Sequence, residues 1–341
     1  MPIKATRKKI LFLLSVDTEE EFDWNGSFPQ HDCTVENIQR LPKFQQFCDS
    51  LGIRPTYLVD YPVAANHSAA AVLKNIHASN NAEIGAHLHP WCTPPIEGGN
   101  GEKESHVINL PIELVKQKLD SLTRTIRENI GVTPTVFRTG RWGINSAVLK
   151  LVSDAGYTID SSMYPYYSNE YFSCEHSHNK PYWPDFTTPD KKGSQRQLFE
   201  LPITSGFNRA PFRFWAKVHR LLSRPGLELL HPVGLAWRTN SLRKLFLSPE
   251  LSSSSDMIAL ATAAISADHP VIHMFLHSST LLPGQNEFTQ TEEDTQAIYM
   301  SIKHFINHLT QHADVSFCTL SEAAAILTNP TTKTNESTQA K

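Results

Sequence analysis

Short apolar runs alternate with amphipathic helical stretches along most of this chain, and that alternation constrains the fold more than any other feature. "ILFLLSV" at 10–16 is a continuous apolar run, as in a strand buried on both faces. "PKFQQFCDSLG" follows, with Phe44, Phe47, Cys48 and Leu51 at helical spacing and Gly52 as a stop. "PTYLVD" and "AEIGAH" read as strands around a helix, "HSAAAVLKNIHA". A polar, glycine-rich loop, "IEGGNGEKES", comes next. In "LPIELVKQKLDSLTRTIRENIG", Val115, Leu119, Leu122, Ile126 and Ile130 draw one apolar stripe, with Pro111 suited to the first turn and Gly131 to the end. "PTVFR" and "YTIDSS" are strands flanking a helix, "NSAVLKLVSDAG", with Asn145 as its N-cap. "PVIHMFL", the helix "TEEDTQAIYMSIKHFINHLTQH", "DVSFCT" and "LSEAAAIL" close the pattern.

Repeated β–α units predict a parallel sheet with helices packed outside it. About seven units favour a closed or partly closed barrel, an α/β fold in which chemistry gathers at the C-terminal strand ends. The pattern loosens over 166–250, which is rich in aromatics, Pro and Arg and holds one probable strand, "QLFELPIT". This stretch reads as an elaborated connection or lid inside a single domain over 10–327. Residues 1–9 form a polar lead-in, and the polar tail 328–341 reads as disordered.

Of 341 residues, 40% are hydrophobic and 19% charged, enough for a sizeable core. A net charge of −3 gives no reason to expect nucleic acid or an anionic membrane as partner. Five widely spaced cysteines are no disulfide framework and suit a reducing compartment. The N-terminal apolar run is at the short limit for a signal peptide and is followed by acids, and no run is long enough to span a bilayer. The expected location is the cytoplasm.

The strand ends carry "SVDTEEEFDW", "EIGAHLHPW", "FRTGRWG", "IDSSMYP" and "FLHSST". The first supplies carboxylates, Asp17 and Glu19 among them, and the second two imidazoles, His87 and His89. On an extended segment, residues i and i+2 project to the same side, so both imidazoles can reach one ion. A carboxylate with two imidazoles is a three-ligand set for zinc or a similar divalent ion. Glu20 and Glu21 read as solvated charges at a helix start.

These five motifs, in this order, resemble the polysaccharide deacetylase superfamily, carbohydrate esterase family 4, also called the NodB-homology fold. The resemblance covers roughly residues 10–325 and is weakest across 166–250. It implies a deformed (β/α)7 barrel and a divalent metal, usually zinc, that serves to hydrolyse the N-acetyl group of amino sugars. Asp17 falls at the general-base position of the first motif. Thr18 stands where the usual ligand Asp lies, but a V-D-x-D branch places that ligand two residues on, at Glu19. His87 matches the first histidine of the second motif. The usual second histidine position holds Trp91, so His89 takes its place. Arg138 matches the arginine motif, with Arg141 extra, and would hold Asp17 charged. Asp160 to Pro165 match the fourth motif, and His277 the histidine general acid of the last. The departures are most similar to an outlying, cytoplasmic branch among polysaccharide-biosynthesis proteins.

By this resemblance the expected partner is a carbohydrate bearing an N-acetyl group, in a glycan, glycolipid or nucleotide-sugar. Trp91, Arg141, Trp142 and Tyr164, with Tyr166 nearby, are the expected substrate wall, since aromatic faces stack on pyranose rings. His273 reads as a packed residue, and Trp24 and Trp183 carry no assignment. Three other readings stand beside this one: a degenerate, non-catalytic glycan-binding homologue, supported by Thr18 and Trp91; a deacylase or amidase on a non-sugar substrate; and, weakest, a retaining glycosidase using paired carboxylates.

Overall fold

The computed structural model describes residues 7–24, 26, 28–224, 226 and 231–329. Most of the expected lead-in, and the tail beyond Asn329, lie outside these residues. Ten strands are present among them: β1 Lys9–Thr18, β2 Thr56–Val59, β3 Glu83–Leu88, β4 Val136–Thr139, β5 Ile159–Asp160, β6 Phe199–Glu200, β7 Ser205–Phe207, β8 Lys244–Phe246, β9 Val271–His277 and β10 Asp314–Phe317.

β1 is the central strand, and its burial on both faces explains its unbroken apolar run. β9 pairs with Leu11 to Asp17 along one edge. On the other edge β10 takes Lys9 to Phe12 and β2 takes Ser15 to Thr18. The sheet then continues through β3, β4 and β5 to β6, and all these pairings are parallel. It curls until its two ends nearly meet. Between β6 and β9 the gap is bridged by single backbone bonds: Thr204 N–H donates to His273 C=O at 3.0 Å, Leu247 N–H to Thr204 C=O at 2.9 Å and Phe275 N–H to Leu247 C=O at 3.1 Å. The result is an α/β fold, a deformed (β/α)7 barrel.

Helices cover the outside with the stripes their sequences carry. In the helix Glu292–His312, Ile298, Ile302, Phe305 and Leu309 are buried, and Thr291 and Asp294 form a capping box at its start. The helix Ile112–Thr125 passes into a π-turn over Ile126–Ile130 before Gly131 ends it at φ 86°. Two successive spacings of four, Leu122 to Ile126 to Ile130, overrun an α-helix, and the wider turn keeps both residues inward. Pro111 is the N-cap of this helix and lies just before its first turn. Several helices escaped the sequence reading, among them Phe212–Leu222, Pro232–Arg238 and Ser254–Ser266. Ser254–Ser266 is alanine-rich and buries Met257, Leu260, Ala261, Ala263 and Ala264, so it offers little amphipathic contrast.

The segment 166–250 does two things. It carries β6 and the antiparallel β7–β8 pair, and it places Phe207 and Phe212 in the main core. It also sends Tyr167, Asn169, Trp237, Lys244, Phe246 and Glu250 to a cavity above the strand ends.

Candidate active site

The C-terminal strand ends bring the motif residues together by register. Asp17 on β1 lies opposite His277 on β9, and His87 on β3 lies opposite Arg138 on β4. A cavity of about 560 Å³ opens over them, lined by Asp17, Glu19, His87, His89, Arg141, Trp142, Tyr164 and His277, among others.

Asp17 is 1% exposed. Its Oδ1 accepts from Arg138 Nη1 at 2.6 Å, and its Oδ2 lies 3.8 Å from His277 Nε2. Burial works against its ionisation, but Arg138, His87 and His277 outweigh that and hold its pKa below the usual value. Arg138 is fully buried and held at three further points. Nε and Nη2 donate to Ser161 C=O and Ser161 Oγ, each at 2.9 Å, and Trp142 lies over its guanidinium at 4.7 Å. The fourth motif is therefore the seat of the arginine. Its Asp160 faces Glu200 across β5 and β6, where burial pushes both carboxyls up and Asp160 pushes Glu200 up further.

Glu19 follows β1, its N–H donating to Ser278 Oγ at 3.1 Å. Its Oε2 lies 3.6 Å from His87 Nε2 and 3.3 Å from His89 Nε2, and its Oε1 is buried without a hydrogen-bond partner. Each of the three side chains offers a ligand atom within 4.8 Å of the others. Three converging donors, two of them imidazole nitrogens, with one carboxylate oxygen unspent, fit a divalent ion. Burial keeps the His87 pKa low, whereas at His89 Glu20 and Glu19 overcome burial and raise it well above the ordinary value.

The reading of Glu20 as solvated needs correction. Glu20 is fully buried, and its Oε2 faces His89 Nδ1 at 2.8 Å. Its Oε1 accepts from Trp91 Nε1 at 2.6 Å and from Cys92 Sγ at 3.3 Å. Its backbone N–H donates to Asp60 Oδ2 at 2.8 Å. Burial raises the Asp60 pKa and Glu20 raises it further, so the proton of this acid pair sits on Asp60 and Glu20 is the carboxylate. Glu20, Asp60, His89 and Cys92 also lie close enough to hold an ion. Their polar atoms are already spent on one another and on backbone N–H groups, so the cluster serves to orient His89. Glu21 is half-buried and accepts from Asn37 N–H at 2.6 Å, at the start of the 3₁₀ turn Glu36–Arg40.

Trp91 also needs correction. It is 1% exposed, stacks on His89 at 4.2 Å and takes no part in the cavity wall. Tyr166 packs on Phe207 and Phe212, away from the cavity. Trp142, Tyr164 and Arg141 do line the wall. Arg141 is paired with Glu102, and Tyr164 stacks on Tyr167 at 4.8 Å. Trp24, left without an assignment, lines the cavity and meets the His277 ring edge-on at 4.5 Å. His273 is packed as expected, between Pro202 C=O at 3.2 Å and Ser15 Oγ at 3.0 Å.

His277 has a partner that the sequence reading missed. Glu250 Oε2 faces His277 Nδ1 at 2.9 Å, while its Oε1 accepts from His277 N–H at 2.7 Å and from Thr280 Oγ1 at 2.6 Å. Burial pulls the imidazole pKa down, but Glu250, Glu19 and Asp17 prevail and hold it at about 9. The side chain is cationic at neutral pH, with Nε2 turned toward Asp17. Glu250 left no local signal, because it lies in the stretch with neither strand nor helix period. Asp60 had one, since it ends the strand "PTYLVD" as the other site acids end theirs.

No family model matches the sequence, and no curated protein does. Solved structures do resemble it. A Mycobacterium smegmatis protein assigned as a polysaccharide deacetylase superposes with a TM-score of 0.54 at 15% identity, over 96% of this chain and 93% of its own. A Parabacteroides distasonis protein assigned as a glycoside hydrolase/deacetylase gives 0.61 at 10% identity, over 96% and 73%. At such identities the likeness is one of architecture alone: the chain has the fold of these solved structures, that of the polysaccharide deacetylase superfamily.

Proposed function

We infer that the protein is a metal-dependent hydrolase that removes an N-acetyl group from an amino sugar of polysaccharide metabolism. One observation carries this reading. The Glu19–His87–His89 donor set lies in a single cavity with an ionised carboxylate, Asp17, and a cationic imidazole, His277. The names given to the two structural neighbours agree with it.

Glu19, His87 and His89 would hold the ion, zinc being the natural candidate for this donor set. When bound, it supplies Lewis acidity toward the acyl carbonyl. The chain's own groups move the protons. Arg138 keeps Asp17 ionised and fixes Oδ1, leaving Oδ2 to take a proton from the attacking water. The water oxygen bonds to the acyl carbon, and the C–N bond then breaks. His277 Nε2–H gives its proton to the departing nitrogen, so the products are a free amine and acetate. Glu250 fixes the imidazole through Nδ1 and raises its pKa, which keeps the acid loaded. Glu20 orients His89 in the same manner on the ligand side. Trp24, Trp142 and Tyr164 offer ring faces and edges to a pyranose. Five free cysteines support a reducing compartment as its place of action.

The test is acetate release from a panel of N-acetylated sugars, free, oligomeric and nucleotide-linked, with bound metal measured on the same preparation. Chelation should abolish release, and added zinc should restore it. Metal bound without release from any of these sugars would favour a binding protein or a non-sugar amidase. Absence of both would remove the metal reading.

A further inference from the structure

The whole-chain net charge of −3 conceals a local reversal. Residues 209–244 hold eight Lys and Arg and a single acid, Glu228. Two helices of this stretch, Phe212–Leu222 and Pro232–Arg238, contain no acidic residue. They also carry four of the eight large apolar side chains left exposed among the described residues: Phe214 at 54%, Leu221 at 50%, Leu235 at 62% and Trp237 at 41%. Phe214 and Leu221 are seven apart and share one helix face, with the exposed Lys217 beside them. Among the described residues Lys217, Arg224 and Arg238 have no ion-pair partner. Trp237 carries the patch to the cavity, which it lines.

We propose that this helical pair is a docking surface for an anionic lipid bilayer, which sets the mouth of the cavity against the membrane. Apolar and basic side chains side by side on exposed helices suit the interface between headgroups and acyl chains. A protein partner would have to place an acid against each unpaired cation, whereas an anionic bilayer neutralises them collectively. Nucleic acid would leave Phe214, Leu221 and Leu235 without a role. The helices are too short to cross a bilayer, and no helix among the described residues is long and apolar enough to do so. The docking is independent of whether the site hydrolyses anything.

The test is co-sedimentation of the full chain with vesicles of phosphatidylglycerol and phosphatidylcholine, against pure phosphatidylcholine. Each basic residue at an anionic surface changes partitioning by roughly fivefold. Anionic vesicles should therefore bind the protein at least tenfold better, and salt should weaken the binding. The double variants Phe214→Ser with Leu221→Ser, and Lys217→Glu with Arg224→Glu, should each lose about tenfold or more in partitioning. Both should keep the parent melting temperature, because the positions are exposed. Failure to sediment with either vesicle would overturn the proposal, as would unchanged binding by both variants. So would a dimer in solution that the Phe214→Ser, Leu221→Ser variant dissociates, since the face would then be a contact between copies.

Discussion

Arg138 Nη1 donates to Asp17 Oδ1 at 2.6 Å, and neither side chain is more than 2% exposed. A pair this deeply buried is a liability if either member is removed alone. Asp17→Asn should keep bound metal and lose about 10²–10⁴-fold in acetate release. Arg138→Met should lose activity and also destabilise the fold by about 3–5 kcal/mol, because it strands a buried carboxylate. Denaturant melts and metal analysis on both variants check this. An Asp17→Asn protein that binds no metal would make Asp17 the ligand.

On the ligand side, Glu19→Ala, His87→Ala and His89→Ala should each empty the metal site. Glu20→Gln is the sharper test. Glu20 is buried behind His89, so its loss should weaken metal affinity by about 10–100-fold while leaving the ligands in place. Competition with a chromophoric chelator would measure this. An unchanged affinity would show that Glu20 does not orient His89 for the metal.

The acid limb follows from His277. Its pKa of about 9 lies above the unperturbed value, so the protonated form is present below pH 9 and is lost as pH rises through it. The activity profile should fall on the alkaline side at or below that value, since a metal held by Glu19 would offset part of the rise. Glu250 is the strongest influence raising it, so Glu250→Gln should move the alkaline limb to lower pH by roughly 1–3 units. A profile with the limb unmoved would separate Glu250 from the acid.

Phe212 tests whether the loosely patterned segment is dispensable. It is 3% exposed, packs against Phe207 and His269, and lies so close to Gly206 that a Cβ there would meet its ring at 2.7 Å. Phe212→Ala should therefore lower stability by about 3–5 kcal/mol. Replacing 207–215 with a short linker should abolish folding, not merely turnover. Thermal melts and solubility of the two variants decide it, and a well-folded deletion would show this stretch to be a removable cover.

Much of the molecule was legible in one dimension because its information is local. Continuous apolar runs and the 3.6 period are properties of neighbours in sequence, so the strands around Leu13, Leu58 and Met274 and the stripe from Ile298 to Leu309 could be read directly. The pair His87 and His89 could be read too, since the i, i+2 relation holds on any extended segment. The alanine-rich helix at 254–266 could not, because apolar residues also fall on its part-exposed positions and blur the contrast that periodicity needs. That Glu20 turns inward together with Asp17 and Glu19 was likewise not determined by sequence. That choice is made by partners from other strands: Arg138 on β4 and His277 on β9 hold Asp17, the β3 histidines face Glu19, and Asp60 after β2 draws in Glu20. Glu250 became the partner of His277, 27 positions further on, only when the chain between them folded back. A carboxylate takes its role from the charges within a few ångströms of it, and in a barrel those charges come from strands far apart in the chain.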